Sequence, residues 1–382
     1  MTRLSEEERL LALQFNARAR QIFWNGAVPV TCPVWRLSEY EIVDWVVDYQ
    51  ERQGLRVDGR LGSSTMIVMM AESRGGLGDM IIDGKEVEGF RVARMFVPNP
   101  TAAVVQPDVC CVLSQSELDR ETRDRVNGTG GRIRSHFSID SSAGRNGESL
   151  IIQWADPMRS VGFCPVSETM DYPRQRQCLG IELENVLLLY QLDTDERRWL
   201  RRRPVVKAQV GTGFVSQPIL YEEQVRALKR LMETLSEHCQ IPMVFPKDET
   251  GAYFTGMLDG SVLSEFSGYL AKFHYFSQNN EPGVGFVLLL ERLFGAIERN
   301  EVTAARKVIV MEADKYLSEQ EEARALLTQS VQATQAFVPT HEADPRFSLS
   351  AAITQAYGTG KVARAARIAQ RCQTFDKDGD SQ

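Results

Sequence analysis

Two acidic side chains, Glu182 and Glu184, stand two residues apart inside the apolar run Cys178-Leu179-Gly180-Ile181-Glu182-Leu183-Glu184-Asn185. Alternate residues of a β-strand share a face. A strand here therefore points both carboxylates one way and sends Ile181 and Leu183 the other way, into apolar packing. A carboxylate on a largely buried sheet is costly unless it is hydrogen-bonded, paired with a cation or metal, or used in chemistry. This short stretch is the most informative in the chain.

The elements around it follow from periodicity and turn chemistry. Leu10, Leu11, Leu13, Ala17 and Ile22 mark the apolar side of a helix over 5–24, which joins 36–75 in an N-terminal helical module. Within it, Ile42, Trp45, Val46 and Tyr49 form an apolar helical face closed by Gly54, Asp58-Gly59 makes a turn, and Ser63 or Ser64 caps a helix starting near Thr65. Arg74-Gly75-Gly76-Leu77-Gly78 reads as the turn into the next unit. Residues 80–98 alternate around Asp83-Gly84, as a hairpin does. Further strands are expected at 104–105 and 109–113, 134–140, 149–154 and 178–190, with helices at 117–126 and 221–240, the latter closed by Pro242. Beyond Leu293, apolar positions recur at helical spacing from 302 to 333 and again over 349–371, before a charged tail.

Composition bounds the function. The chain has 382 residues, 43% hydrophobic and 25% charged, which is enough for two or three domains with ordinary globular cores. A net charge of −7 argues against nucleic acid as the main partner, and the basic run Arg197–Arg203 reads as an exposed helix end or loop, equally suited to an anionic glycan or a partner protein. No run approaches the roughly 18 apolar residues of a membrane span. Glu6-Glu7-Glu8 interrupts any signal-peptide core, so synthesis in the cytoplasm is expected; a target outside the cell would have to be reached by release or delivery, or met as fragments inside. Seven cysteines (Cys32, Cys110, Cys111, Cys164, Cys178, Cys239, Cys372), odd in number and without CxxC spacing, describe no disulfide framework.

The acidic strand resembles the central strand of zinc-dependent N-acetylmuramoyl-L-alanine amidases, the fold shared with peptidoglycan recognition proteins. The likeness extends to four blocks in order over roughly 105–295. Ser135-His136-Phe137-Ser138-Ile139-Asp140 is similar to the family's strand "H-F-x-I", and Leu150–Trp154 stands in the place of its next strand. Leu220–Leu228 is similar to the opening of the family's helix. Lys272-Phe273-His274 with Asn280–Phe286 resembles the segment around its last two ligands. Separately, Tyr49–Thr65 resembles the signature of a peptidoglycan-binding module, in Gln50, Gly54, Leu55, Val57, Asp58, Gly59, Gly62 and Thr65.

The resemblance implies a fold and a site. The fold is α/β: a mixed central sheet flanked by helices, with an N-terminal helical module and a helical C-terminal extension. The implied divisions are 1–76 as a peptidoglycan-binding-like module, 77–296 as the amidase-like domain, 297–371 as the helical extension and 372–382 as a disordered tail. Family members hold zinc with three protein ligands and leave a fourth position for water. The corresponding residues here are Cys110 in place of a histidine, His274, and Glu281 in place of an aspartate or cysteine. Glu182 falls where one branch of the family keeps its catalytic base; the tyrosine of the other branch is Ser135 here. Asn279 stands where the family's oxyanion-stabilising lysine belongs, and brings no charge.

Departures thus gather at the metal centre while scaffold motifs persist. Two readings follow. In one, the chain is a zinc amidase with the unusual ligand set Cys110, His274 and Glu281, hydrolysing the lactyl-L-alanine amide. In the other, favoured by the number of departures, it is a pseudoenzyme that binds peptidoglycan or muropeptide without metal. A third reading makes it a structural or assembly component of a phage-like or contractile injection particle, docking through its helical ends.

Overall fold

The computed structural model describes residues 4–22, 28–29, 32–96, 109–115, 135–143, 147–159, 178–185, 204–210, 213–275, 282–295 and 309–311. The chain divides into two compact units, Met1–Leu188 with Val206–Val310, and Leu189–Val205 with Met311–Gln382. Nearly all described residues belong to the first.

Its centre is a seven-stranded mixed sheet in the order β1-β2-β5-β4-β6-β3-β9. The strands are β1 (Leu77–Ile82), β2 (Lys85–Arg94), β3 (Val109–Gln115), β4 (Phe137–Ala143), β5 (Ser149–Gln153), β6 (Cys178–Glu184) and β9 (Gly268–Ala271). β4, β6, β3 and β9 run parallel to their neighbours, so their C-terminal ends share one rim. β5 is antiparallel to β4, β2 is parallel to β5, and β1 closes the edge antiparallel to β2. The fold is α/β, as the sequence leads one to expect.

Burial on both faces fixes the layers. Leu179, Ile181 and Leu183 of β6, with Phe137 and Ile139 of β4, pack on one side against helix α4 (Glu222–Cys239). That helix presents Val225, Leu228, Leu231, Met232 and Leu235 along one stripe, the 3.6-residue pattern of a helix lying on a sheet. It ends at Gln240, which takes the left-handed conformation (φ 59°) two residues before Pro242. Short helices α5 (Gly260–Glu265), α6 (Val284–Val287) and α7 (Leu290–Phe294) complete the shell.

The opposite face carries the N-terminal module, formed by α1 (Glu6–Ile22), α2 (Glu39–Gln53) and α3 (Ser63–Ser73). α2 opens on a capping box in which Ser38 accepts from the Glu41 amide and Glu41 returns to the Ser38 amide, and it closes on Gly54 at φ 68°. α3 is apolar all round because it serves two layers. Met66, Val68 and Met69 face the module's own core, while Ile67, Met70 and Ala71 pack with Ala93, Met95, Ile152 and Trp154 of the sheet.

Two local expectations need correction. The cap of α3 is Gly62, with no side-chain cap, rather than Ser63 or Ser64. The Ser64 hydroxyl donates instead to Asp140 of β4, so a tertiary partner has taken that capping group, while the buried Ser63 hydroxyl has no hydrogen-bond partner among the described residues. Helical spacing also predicts helix across 302–333, yet Ile309–Met311 forms β10, in a second sheet of order β10-β7-β8 with β7 (Val205–Val210) and β8 (Gly213–Pro218). Consecutive β-branched residues there suit a pleated surface better than a helix. The other residues of that segment, and the expected helices at 117–126 and 349–371, lie outside the described residues.

The hairpin at 83–84 forms as its sequence demands. Asp83 (φ 52°) and Gly84 (φ 71°) are both left-handed, the requirement of a type I′ turn. The Asp156 carboxylate accepts both of their amides, at 3.0 and 2.8 Å.

Candidate functional site

Strand β6 supplies the central group. Glu182 is 5% exposed and faces the α3 side of the sheet, opposite Ile181 and Leu183. Its Oε2 accepts from the Ser135 hydroxyl at 2.9 Å and the Ser138 hydroxyl at 3.4 Å. Ser138 in turn accepts from the Trp154 indole at 2.7 Å. Glu184, on the same face, accepts the Ser141 amide at 2.7 Å. The cost of burying these carboxylates is thus met by hydrogen bonds from β4 and its flanks. Ser135, Ser138 and Asp140 were not singled out as partners from sequence. Their signal was present: in the run Ser135–Asp140 the polar residues 138 and 140 alternate in the same phase as Glu182 and Glu184.

His274 ends the 3-10 turn that follows β9, as the resemblance places it. Its ring is fully buried among aromatic rings, with centroids 4.7 Å from Phe273, 5.0 Å from Phe245 and 6.3 Å from Phe254. Nδ1 accepts the Ala271 amide at 3.0 Å, and Nε2 lies 3.0 Å from the Phe254 carbonyl, to which it must donate. Desolvation pushes its pKa down to about 3, opposed by the Phe254 hydrogen bond. A neutral imidazole has one lone pair, and here a backbone amide holds it. In this arrangement His274 does not fit a metal ion.

Nor does the fold bring His274 to Glu182. Phe245 and Phe273 belong to the core layer beneath α4, whereas Glu182 lies on the face covered by α3. β3 separates their strands, which sets β6 and β9 about 10 Å apart at the standard strand spacing.

Register answers the question of the two adjacent cysteines at the level of rows. Position 110 pairs with Leu179 and Tyr269, both buried in the α4-side layer, while position 111 pairs with Gly180 and with Leu270 of the α3-side layer. Residue 111, not Cys110, thus occupies the row on the Glu182 face. Asn279 and Glu281 lie outside the described residues. Just beyond them, Gly283 (φ 85°) packs directly on the Gln217 side chain, and Gln217 Oε1 accepts the Gly285 amide at 3.2 Å. Asn185 and Gln224 knit the same rim by donating to the Pro218 and Glu184 carbonyls. Among the described residues there is no group of three or more His, Cys, Asp or Glu able to hold a metal ion. A cleft of about 410 Å³, lined by Glu86, Glu88, Phe90, Arg230, Glu237 and His238, lies between β2 and α4, away from Glu182.

His136, the residue immediately before β4, is packed. Nδ1 accepts the Gly180 amide at 3.1 Å and Nε2 donates to the Arg159 carbonyl at 2.8 Å. Burial lowers its pKa to about 4, opposed by the Arg159 bond and by Asp156.

The module signature resolves into a knot of internal hydrogen bonds. Gln50 Oε1 accepts the Asp58 and Gly59 amides, both at 3.0 Å, and its Nε2 donates to Asp58 Oδ1, the Arg60 carbonyl and Thr65 Oγ1. Gly59 is left-handed (φ 69°), and a Cβ there would stand 2.8 Å from Leu4 and 3.0 Å from Val43. Asn16 bridges the Gly59 carbonyl and the Leu61 amide. The polar residues of the pattern therefore shape the loop between α2 and α3.

These features define an α/β protein with a mixed sheet enclosed between a helical module and an amphipathic helix. No protein-family model matches the chain, and no curated protein does. Among solved structures, it is similar to N-acetylmuramoyl-L-alanine amidase LysC from Clostridium intestinale URNW, at 11% identity over 52% of this chain and 95% of that one, with a TM-score of 0.28. It is also similar to the N-acetylmuramyl-L-alanine amidase AmiD from E. coli in complex with anhydro-N-acetylmuramic acid-L-Ala-D-gamma-Glu-L-Lys, at 16% identity over 41% of this chain and 52% of that one, with a TM-score of 0.22. Among the described residues, no helix is long and apolar enough to cross a membrane.

Proposed function

We propose that this chain is a peptidoglycan-directed protein on an amidase-like scaffold, engaging muramyl peptide without hydrolysing it. The ordered sequence blocks over roughly 105–295 support the scaffold and the ligand class. So does the topology: four parallel strands direct their C-terminal ends to one rim, where open α/β sheets bind ligands. The observation that carries the non-catalytic reading is the state of His274, whose two ring nitrogens are both taken by main-chain groups. Burial of Glu182 against two serines supports it further, since a base must reach the proton it removes.

Purified full-length protein tests this directly, through zinc content by mass spectrometry and co-sedimentation with sacculi. Retention on sacculi with zinc far below one per chain is expected. One firmly held zinc per chain, lost in His274→Ala, together with release of peptide from muropeptides, would overturn the reading. A folded protein that ignores sacculi points instead to the role of an assembly component.

A further inference from the structure

We propose that His136 is an acid-sensitive latch between β4 and β6: when its ring gains a second proton it must release the Gly180 amide, loosening the hydrogen bonds around Glu182. At the start of β4 the His136 main chain already joins both neighbours, donating to the Gly180 carbonyl at 2.9 Å and accepting the Trp154 amide at 2.8 Å. The ring adds a third link, because Nδ1 accepts the Gly180 amide while Nε2 donates to the Arg159 carbonyl. An imidazolium has no lone pair, so Nδ1–H would confront the Gly180 N–H across 3.1 Å with no room for water in a site 1% exposed.

The consequence falls on the acidic strand. Ser135, adjacent to the latch, is the nearer donor to Glu182, and Gly180 stands two residues before Glu182 on the same strand. Release of Gly180 therefore frees both sides of the Ser135–Glu182 contact at once. Among the described residues, the charged groups facing His136 are few. Asp156, in the turn after β5, favours the imidazolium but is held by the amides of Asp83, Gly84 and Met158. Arg159 offers its carbonyl while its side chain is exposed. Glu182 is oriented toward the serines. No acid–base pair is thus made to a proton arriving on the ring, and opening is the way the site accepts it. The depressed affinity of the folded ring for protons agrees with this.

Native-state hydrogen exchange on the full chain, corrected for intrinsic rates, reads the latch. One proton taken up on opening raises the open population about tenfold per pH unit. That one-proton slope is expected at the Gly180 and Trp154 amides between about pH 6 and 4.5, whereas amides inside α4, such as those of Leu228 and Leu231, exchange through global unfolding, which exposes both buried histidines and carries a two-proton slope. In His136→Asn, whose carbonyl can accept the Gly180 amide without titrating, the slope should vanish. Should that variant not fold, the wild-type contrast between Gly180 and α4 decides alone. A flat profile at Gly180, the same slope in α4, or a slope surviving in the folded asparagine variant would each overturn the proposal.

Discussion

Replacing Gln50 by leucine is the sharpest test of whether the N-terminal signature is a folding device. Leucine keeps the volume and removes all five hydrogen bonds of the carboxamide. Two of the partners have alternatives: Asp58 Oδ1 also accepts the Arg60 amide, and the Arg60 carbonyl also receives the Thr65 hydroxyl at 3.4 Å. The Asp58 and Gly59 amides lose the partner that both share. At about 1–3 kcal/mol for each unsatisfied buried group, the loss is about 2–6 kcal/mol, reduced by about 1–2 kcal/mol for the better burial of leucine. A net cost of about 3 kcal/mol follows. Because α3 belongs both to the module core and to the layer on the sheet, the whole first unit should lose stability together. Urea unfolding followed by far-UV dichroism measures it, with the midpoint falling and the slope unchanged. A cost below about 1 kcal/mol, or loss of sacculus binding with stability intact, would refute the reasoning and return Gln50 to the ligand-facing surface.

Other perturbations follow from the same geometry. Gly59→Ala forces a Cβ into a left-handed residue against Leu4 and Val43, and should cost about 1–3 kcal/mol in thermal or urea unfolding. Glu182→Gln keeps an oxygen for both serines and should leave stability within about 1 kcal/mol, whereas Glu182→Ala orphans the Ser135 hydroxyl and should cost about 2 kcal/mol; equal effects would sink the account of the strand. His274→Ala should destabilise the metal-free protein by about 3 kcal/mol, through a cavity among aromatic rings and an unpaired Phe254 carbonyl, and added zinc should not change that figure. His136 and His274 have folded pKa values of about 4 and about 3, below the value near 6.5 of an unfolded histidine. Their contribution to stability is complete above pH 6.5 and is lost as pH falls toward the folded values. Near pH 5 the pair should give a slope of about 2.7 kcal/mol per pH unit; unfolding measured across that range with less than one proton's slope would contradict their neutral burial.

What could be read from the chain alone was whatever local pattern decides. The alternation in Cys178–Asn185 fixed which side chains of β6 meet α4, and Asp83-Gly84 and Gly54 announced their turns through backbone conformations that few residues adopt. Where tertiary partners compete, local rules lost. Ser64 is a good capping residue, but Asp140 claims its hydroxyl. The site was hardest for the same reason. The position of His274 at the end of β9 was legible, but not the Ala271 amide and Phe254 carbonyl that occupy its ring. Whether 110 or 111 shares the face of Glu182 depends on one step of register, which only pairing with Gly180 and Leu270 settles.

The docking of α3 also carries a burden during synthesis. Ser64 and its partner Asp140 are 76 residues apart, and Trp154 lies further still. At about 5–20 residues per second, a ribosome needs roughly 4–15 s to deliver Asp140 after Ser64. Through that interval Ile67, Met70 and Ala71 have Ala93 and Met95 to pack on but lack Ile152 and Trp154. The nascent N-terminal bundle emerges with a greasy flank, and it is there that a holding chaperone would find its grip.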